Sequence, residues 1–414
     1  MTNRRVFLRD GGLALVSLGF APSFLARTAA ASTARQKLLI AIFQRGAVDG
    51  LNMVVPYGER AYYKSRPNIA VPRPGGADAA LDLDGFFAFH PRLAPLKPIY
   101  DRRQLAVIHA CGSPDHTRSH FDAQDYMESG TPGVKSTDAG WLNRTLDARR
   151  VELASPFRAV ALAPTLPRSL QGSASALAIG QIGQFGVRDG RGGMGLGASF
   201  EAQYGAAADQ VLHTPGREAF DAIKLMRQAD PAQYRPAAGA DYPRSPFGQA
   251  LRQVAQLAKS RIGLEIAFAE TGNWDHHVNE GSTQGLLAAR LDDFARGVGA
   301  LVTDLGEQMR DTVILTMSEF GRTLAENGSR GTDHGHGNAM LAIGAGVKGG
   351  RVYGAWPGLE RDRLFEGRDL QVTTDFRDVF AEVVTSHLGV DDPAGIFPGY
   401  AIRTENRRGF MERT

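Results

Sequence analysis

Apolar residues follow two alternating patterns along the chain. Continuous apolar runs of strand length occupy Lys37 to Phe43 (KLLIAIF), Gln104 to Ala110 (QLAVIHA), Gly263 to Ala269 (GLEIAFA), Asp311 to Met317 (DTVILTM) and Ala339 to Ile343 (AMLAI), with weaker runs at Arg158 to Ala163 and Ala176 to Ile182. A run of this kind, without polar alternation, predicts a strand covered on both faces. Between the runs, Ser119 to Glu128, Arg217 to Gln228, Phe247 to Lys259, Thr283 to Met309 and Phe376 to His387 have helical spacing. The alternation predicts an α/β fold with a mainly parallel central sheet between helix layers, spanning about 35 to 405. From about 130 to 246 strong strands are sparse and Gly, Ala, Pro and Arg abound, which predicts an insertion or cap. Its run Gly190-Arg191-Gly192-Gly193-Met194-Gly195 lacks the Walker lysine and follows no clear strand, so it reads as a surface loop rather than a phosphate cradle.

The first 31 residues read differently. Asn3-Arg4-Arg5-Val6-Phe7-Leu8-Arg9 precedes an uncharged stretch from Gly11 to Phe24 and then Ala29-Ala30-Ala31, the pattern of a twin-arginine export signal cut after small residues. A retained anchor is the alternative, but the apolar run falls short of the ~20 residues a span requires. The expected location is therefore periplasmic or extracellular, with no transmembrane span after removal. Residues 1 to 31 hold four arginines and one aspartate, a charge of +3 that equals the net charge of all 414 residues. The remainder is neutral, without a basic cluster or nucleic-acid motif, so a nucleic-acid partner is excluded. With 43% apolar and 22% charged residues the chain buries a large core, and 49 glycines with 21 prolines make it loop-rich.

Residues that carry chemistry follow the strong strands. Asp49 lies in a glycine-flanked turn after the first run, at the strand end where open α/β sheets bind ligands, and it equally suits a turn or capping role. After the second run, Pro114-Asp115-His116-Thr117-Arg118-Ser119-His120 opens a helix. A hydroxyl nucleophile (Thr117 or Ser119), an arginine and an anionic substrate suit a helix N-terminus, and N-capping by either hydroxyl is the plainer reading. In the extended loop Trp274-Asp275-His276-His277, residues two apart point the same way. Asp275 and His277 can therefore address one metal ion, with His276 facing elsewhere or replacing His277. The same spacing recurs for His334 and His336. Cys111 is the only cysteine, so no internal disulfide forms and the ligands are nitrogen and oxygen, suited to Zn or Mn, as one or two ions.

The leader, the stretches Phe43 to Asn52 and His116 to Gln124, the loop Trp274 to His277, the block Ser318-Glu319-Phe320-Gly321-Arg322-Thr323 and the loop Gly331 to Gly337 together resemble the exported family called domain of unknown function 1501, a branch of the alkaline phosphatase superfamily. The resemblance implies a metal-dependent hydrolase of phosphate or sulfate esters. Asp49, Asp275 with His277, and His334 or His336 would bind metal, Glu319 would stand where an Asp-His metal pair is usual, Ser119 would be the nucleophile with Thr117 as runner-up, and Arg118 or Arg322 would clamp the anion. The substrate would be a small anionic ester or an envelope polymer. The alternative is a non-catalytic binding or assembly protein of the cell envelope, working with another exported protein.

Overall fold

The computed structural model describes residues 36–149, 155–182 and 233–412, together with the backbone of 7–9 and 12–14. The twin-arginine pair, the glycine run at 190–195 and the helix expected at 217–228 lie outside the described residues. Strand β1 (Phe7–Arg9) pairs antiparallel with β2 (Gly12–Ala14).

The central sheet is built from β3 (Leu38–Gln44), β7 (Leu105–Gly112), β8 (Ala159–Ala161), β9 (Leu177–Ala178), β10 (Ile266–Thr271), β11 (Thr312–Met317), β12 (Asn338–Ile343), β13 (Arg351–Tyr353) and β14 (Thr374–Asp375). A side sheet contains β4 (Val54–Val55), β5 (Leu81–Asp82) and β6 (Ala88–Phe89). The central order is β13-β7-β12-β11-β3-β10-β8-β9, with β14 beside the end of β7. β10 and β11 flank β3 in parallel, and β12 runs antiparallel to both β11 and β7. The carboxyl ends of β3, β7, β10 and β11 and the start of β12 therefore share one edge. The expected mainly parallel α/β sheet is present, with β12 its one antiparallel member among the described residues.

The helices are α1 (Gly50–Met53), α2 (Arg60–Ser65), α3 (Lys97–Asp101), α4 (His120–Ser129), α5 (Trp141–Ala148), α6 (Pro246–Lys259), α7 (Leu286–Leu305) and α8 (Phe376–Ser386). Alternate residues of β3 point to opposite layers: Leu38, Ile40 and Ile42 join the core under α6 and α7, while Leu39, Ala41 and Phe43 join the core under α5 and α8. Covering on both faces is why β3 is apolar at every position from Leu38 to Phe43. The described part of the expected cap is not set apart, because β8 and β9 continue the central sheet beyond β10 and α5 packs on one of its faces. Among the described residues no helix is long and apolar enough to cross a membrane.

Candidate metal centre

Three segments at the shared edge, following β7 and β10 and preceding β12, bring three histidines and a carboxylate together. α4 begins at His120 because Ser119, in extended conformation, caps it by accepting from Asp122 N (3.4 Å), and it ends at Gly130 in the left-handed region. His120 Nε2 lies 3.0 Å from His334 Nε2, which lies 3.0 Å from His277 Nε2 and 3.3 Å from Asp275 Oδ1. Asp275 Oδ1 is 2.9 Å from His277 Nε2. Ligand atoms of His120, His334 and Asp275 all fall within 4.8 Å of one another, and His277 abuts two of the three.

The other ring nitrogens decide the tautomers. Nδ1 of His120 faces Glu319 Oε1 (2.8 Å), Nδ1 of His277 faces Asp333 Oδ1 (3.2 Å), and Nδ1 of His334 faces the Arg118 carbonyl (2.8 Å). Each of these oxygens accepts, so in the neutral rings each Nδ1 carries the hydrogen and each Nε2 presents a lone pair. Lone pairs 3.0 Å apart repel unless a proton or a cation lies between them. Two imidazoles on a tetrahedral zinc with bonds of 2.0 to 2.1 Å would stand about 3.4 Å apart, close to the observed spacing. With neutral imidazoles, Asp275, Glu319 and Asp333 oppose Arg322 and leave two uncompensated negative charges, the deficit a divalent cation fills. The donor set therefore fits such an ion.

The surrounding electrostatics agree. Burial opposes the charge on Glu319, but hydrogen bonds from His120, Gln124 and Gly46 hold its carboxyl below the usual range. Burial likewise opposes Asp275, and Arg322 outweighs it, holding the group at about 2. Gly46, at φ +111°, is required where the turn after β3 presses on the Trp274–Asp275 backbone, since a Cβ there would lie 2.9 Å from Asp275 N.

Other residues singled out in the sequence take different places. Asp49 caps α1 and pairs with fully buried Arg66, so a guanidinium already serves as its cation. His336 is not with His334: the backbone of His334 bridges to Arg322, and the His336 ring stacks on Phe365 at 4.3 Å, where burial lowers its pKa to about 4. His276 is buried, its Nδ1 without a hydrogen-bond partner. Glu319 touches His120 from behind. Arg322 is buried with its three nitrogens on backbone carbonyls and Asp275. Arg118 pairs with Glu366 and Asp369. Thr117 Oγ1 accepts from Ser119 N (3.2 Å), and Ser119 stands exposed beside His120. His120 is a donor that the sequence pattern does not single out, although an imidazole at the same strand end as Asp49 is a signal for it.

Residues 106–396 match the family described as protein of unknown function (DUF1501). The chain belongs to this family. No curated protein matches it. Among solved structures, this DUF1501 protein is similar to the PsFucS1 sulfatase from Pseudoalteromonas sp., with a TM-score of 0.42 and 10% identity over 100% of this chain and 81% of that one. It is also similar to the phosphonate monoester hydrolase SpPMH from Silicibacter pomeroyi, at 0.41 and 10% over 89% and 78%. A third is the C-terminal periplasmic domain of EcEptC from Escherichia coli in complex with Zn, at 0.34 and 10% over 76% and 74%. What the DUF1501 site does chemically rests on its own residues.

Proposed function

We propose that this protein is an exported hydrolase of phosphate or sulfate esters that uses one divalent ion, Zn or Mn, held by His120, His334 and Asp275 with His277 as a further donor. The convergence of these donors at the open edge of the sheet carries the reading. A bound ion supplies Lewis acidity, lowering the pKa of a coordinated oxygen and drawing electrons from the ester. The chain's residues do the placing. Arg322 fixes Asp275, and Glu319, Asp333 and the Arg118 carbonyl fix the three rings. The Ser119 hydroxyl accepts from Asp122 N and keeps its own hydrogen to give up, at a helix start whose N–H groups favour an anion. A non-catalytic envelope protein is the second reading, supported by the Asp49–Arg66 pair, which leaves one metal position instead of two.

Metal analysis of protein recovered from the periplasm separates the readings. One equivalent of metal, with hydrolysis of a nitrophenyl phosphate or sulfate that a chelator abolishes, is the expected result, on a chain beginning near Ser32. Metal without hydrolysis, or a metal-free chain, supports the envelope protein and sinks the hydrolase.

Ser119→Ala is expected to lose hydrolysis while metal content stays at the parent level. Loss of the cap lowers stability by about 1 kcal/mol. Specific activity and melting temperature, measured together, check this. Full activity per folded molecule would make Ser119 a cap only, and Thr117→Ala would then be the next variant to assay.

A further inference from the structure

Glu319 is a buried carboxylate with a one-sided arrangement of partners. Its Oε1 accepts three hydrogen bonds, each 2.8 Å long, from His120 Nδ1, Gln124 Nε2 and Gly46 N. Its Oε2 has the Ser318 hydroxyl at 3.1 Å, and that hydroxyl also reaches the Gln44 carbonyl at 2.8 Å. His120 and Gln124 are four apart on α4, so they share a helix face, and Glu319 is gripped by both from the loop after β11. Arg45, at the end of β3, donates to Gln124 Oε1 (3.0 Å) and pairs with Glu128 one further turn along. α4 and the turn after β3 thus converge on one carboxylate oxygen, whose ring partner is the back of His120.

We propose that Glu319 is the positioning residue of this site: an ionised carboxylate that fixes the His120 tautomer with Nε2 facing the ion and strengthens that nitrogen as a ligand. The inference rests on the proposed metal site and adds a division of labour within it. A carboxylate accepting from a ligating imidazole makes the ring more basic, and loss of such a partner typically lowers metal affinity 10- to 100-fold. Here the change can be made without altering shape. In Glu319→Gln, the amide oxygen in the Oε1 place keeps all three acceptor bonds, and the NH2 group meets the Ser318 hydroxyl, which accepts while donating to Gln44. Only the charge is lost.

The test uses the mature chain stripped of metal and titrated with Zn2+ against a competing chromophoric chelator. Glu319→Gln is expected to bind about 10- to 100-fold more weakly than the parent, with the melting temperature of the metal-free form unchanged. Glu319→Ala, which strands three donors, should lose both affinity and stability. A Glu319→Gln affinity within twofold of the parent overturns the proposal and makes Glu319 a structural acceptor. A second measurement needs no variant. The 15N shifts of the parent should show His120 protonated at Nδ1 when zinc is bound, and the opposite tautomer overturns the proposal as well. A parent that binds no zinc removes the metal reading itself, an outcome distinct from either.

Discussion

Replacing Arg322 by Met is expected to destabilise the metal-free protein by about 3 to 5 kcal/mol, the cost of leaving several buried carbonyls without their donor. Arg322 is 1% exposed. Its Nε donates to the Ala47 carbonyl (2.7 Å), Nη1 to Thr332 O (3.1 Å), and Nη2 to Gly46 O (2.6 Å), Trp274 O (3.1 Å) and Asp275 Oδ1 (2.7 Å). One side chain therefore ties together the loops after β3, β10 and β11 and the segment before β12. Methionine fills the volume but leaves the carbonyls of Ala47, Gly46 and Thr332 without donors, while Trp274 O keeps the His276 N–H, at about 1 to 3 kcal/mol for each that water cannot reach. Asp275 is 42% exposed, so its ion pair is screened and adds little beyond geometry. Arg322→Lys should recover only part of the loss, because an ammonium cannot reproduce a planar fork aimed at several acceptors. Urea unfolding at neutral pH measures the effect, and an unchanged midpoint for Arg322→Met would refute this account. The acid side gives a second check. Asp275 is depressed to about 2, so its contribution is complete above the ordinary aspartate range and disappears as pH falls through about 2. In Arg322→Met that part of the acid profile should flatten.

The contrast between Arg322 and the strands shows what the sequence carries. β3, β7, β10, β11 and β12 are visible as apolar runs because burial on both faces acts at every residue, and their observed bounds differ from the expected ones by a few residues at most. α5 leaves little trace in the sequence because it lies in a Gly- and Arg-rich context, and it holds its place through Trp141, which stacks on Phe380 far along the chain at 4.3 Å. β8 and β9 fall within the weaker runs at Arg158 to Ala163 and Ala176 to Ile182, and pairing with β10 and with each other decides which two or three residues of each become strand.

The site was legible to the same degree. Spacing alone suggests that Asp275 and His277 address one point, and the structure brings them together. Spacing also places His334 and His336 on one side, but the Arg322–His334 bridge and the ring of Phe365 send them apart. Which loops meet is a tertiary fact. Neither the carbonyls that Arg322 satisfies nor the arginine that satisfies Asp49 leaves a local trace.

That last pair supports a second large effect. Arg66 is fully buried and donates to both Asp49 oxygens, to Asn52 Oδ1 (2.7 Å) and to the carbonyls of Leu324 and Thr323 (2.8 Å each). Burial would push Asp49 up, but the guanidinium outweighs it and holds the carboxyl below the usual range, while neighbouring Glu280 is driven well above its own by burial and by the charge of Asp49. Asp49 is thus a charge with a permanent partner. Asp49→Asn should cost about 3 to 5 kcal/mol by stranding Arg66, and Arg66→Met a similar amount by stranding Asp49. The double variant should cost less than the two single losses added together, with a coupling of up to about 3 kcal/mol. Were Asp49 a metal ligand, Asp49→Asn would instead lower the metal bound per folded chain and Arg66→Met would leave it unchanged or raise it. The expected result is one equivalent of metal in every variant that still folds, with the losses confined to the unfolding midpoint. Metal content that follows Asp49 while stability does not would move this carboxylate into the metal site and restore a two-ion arrangement.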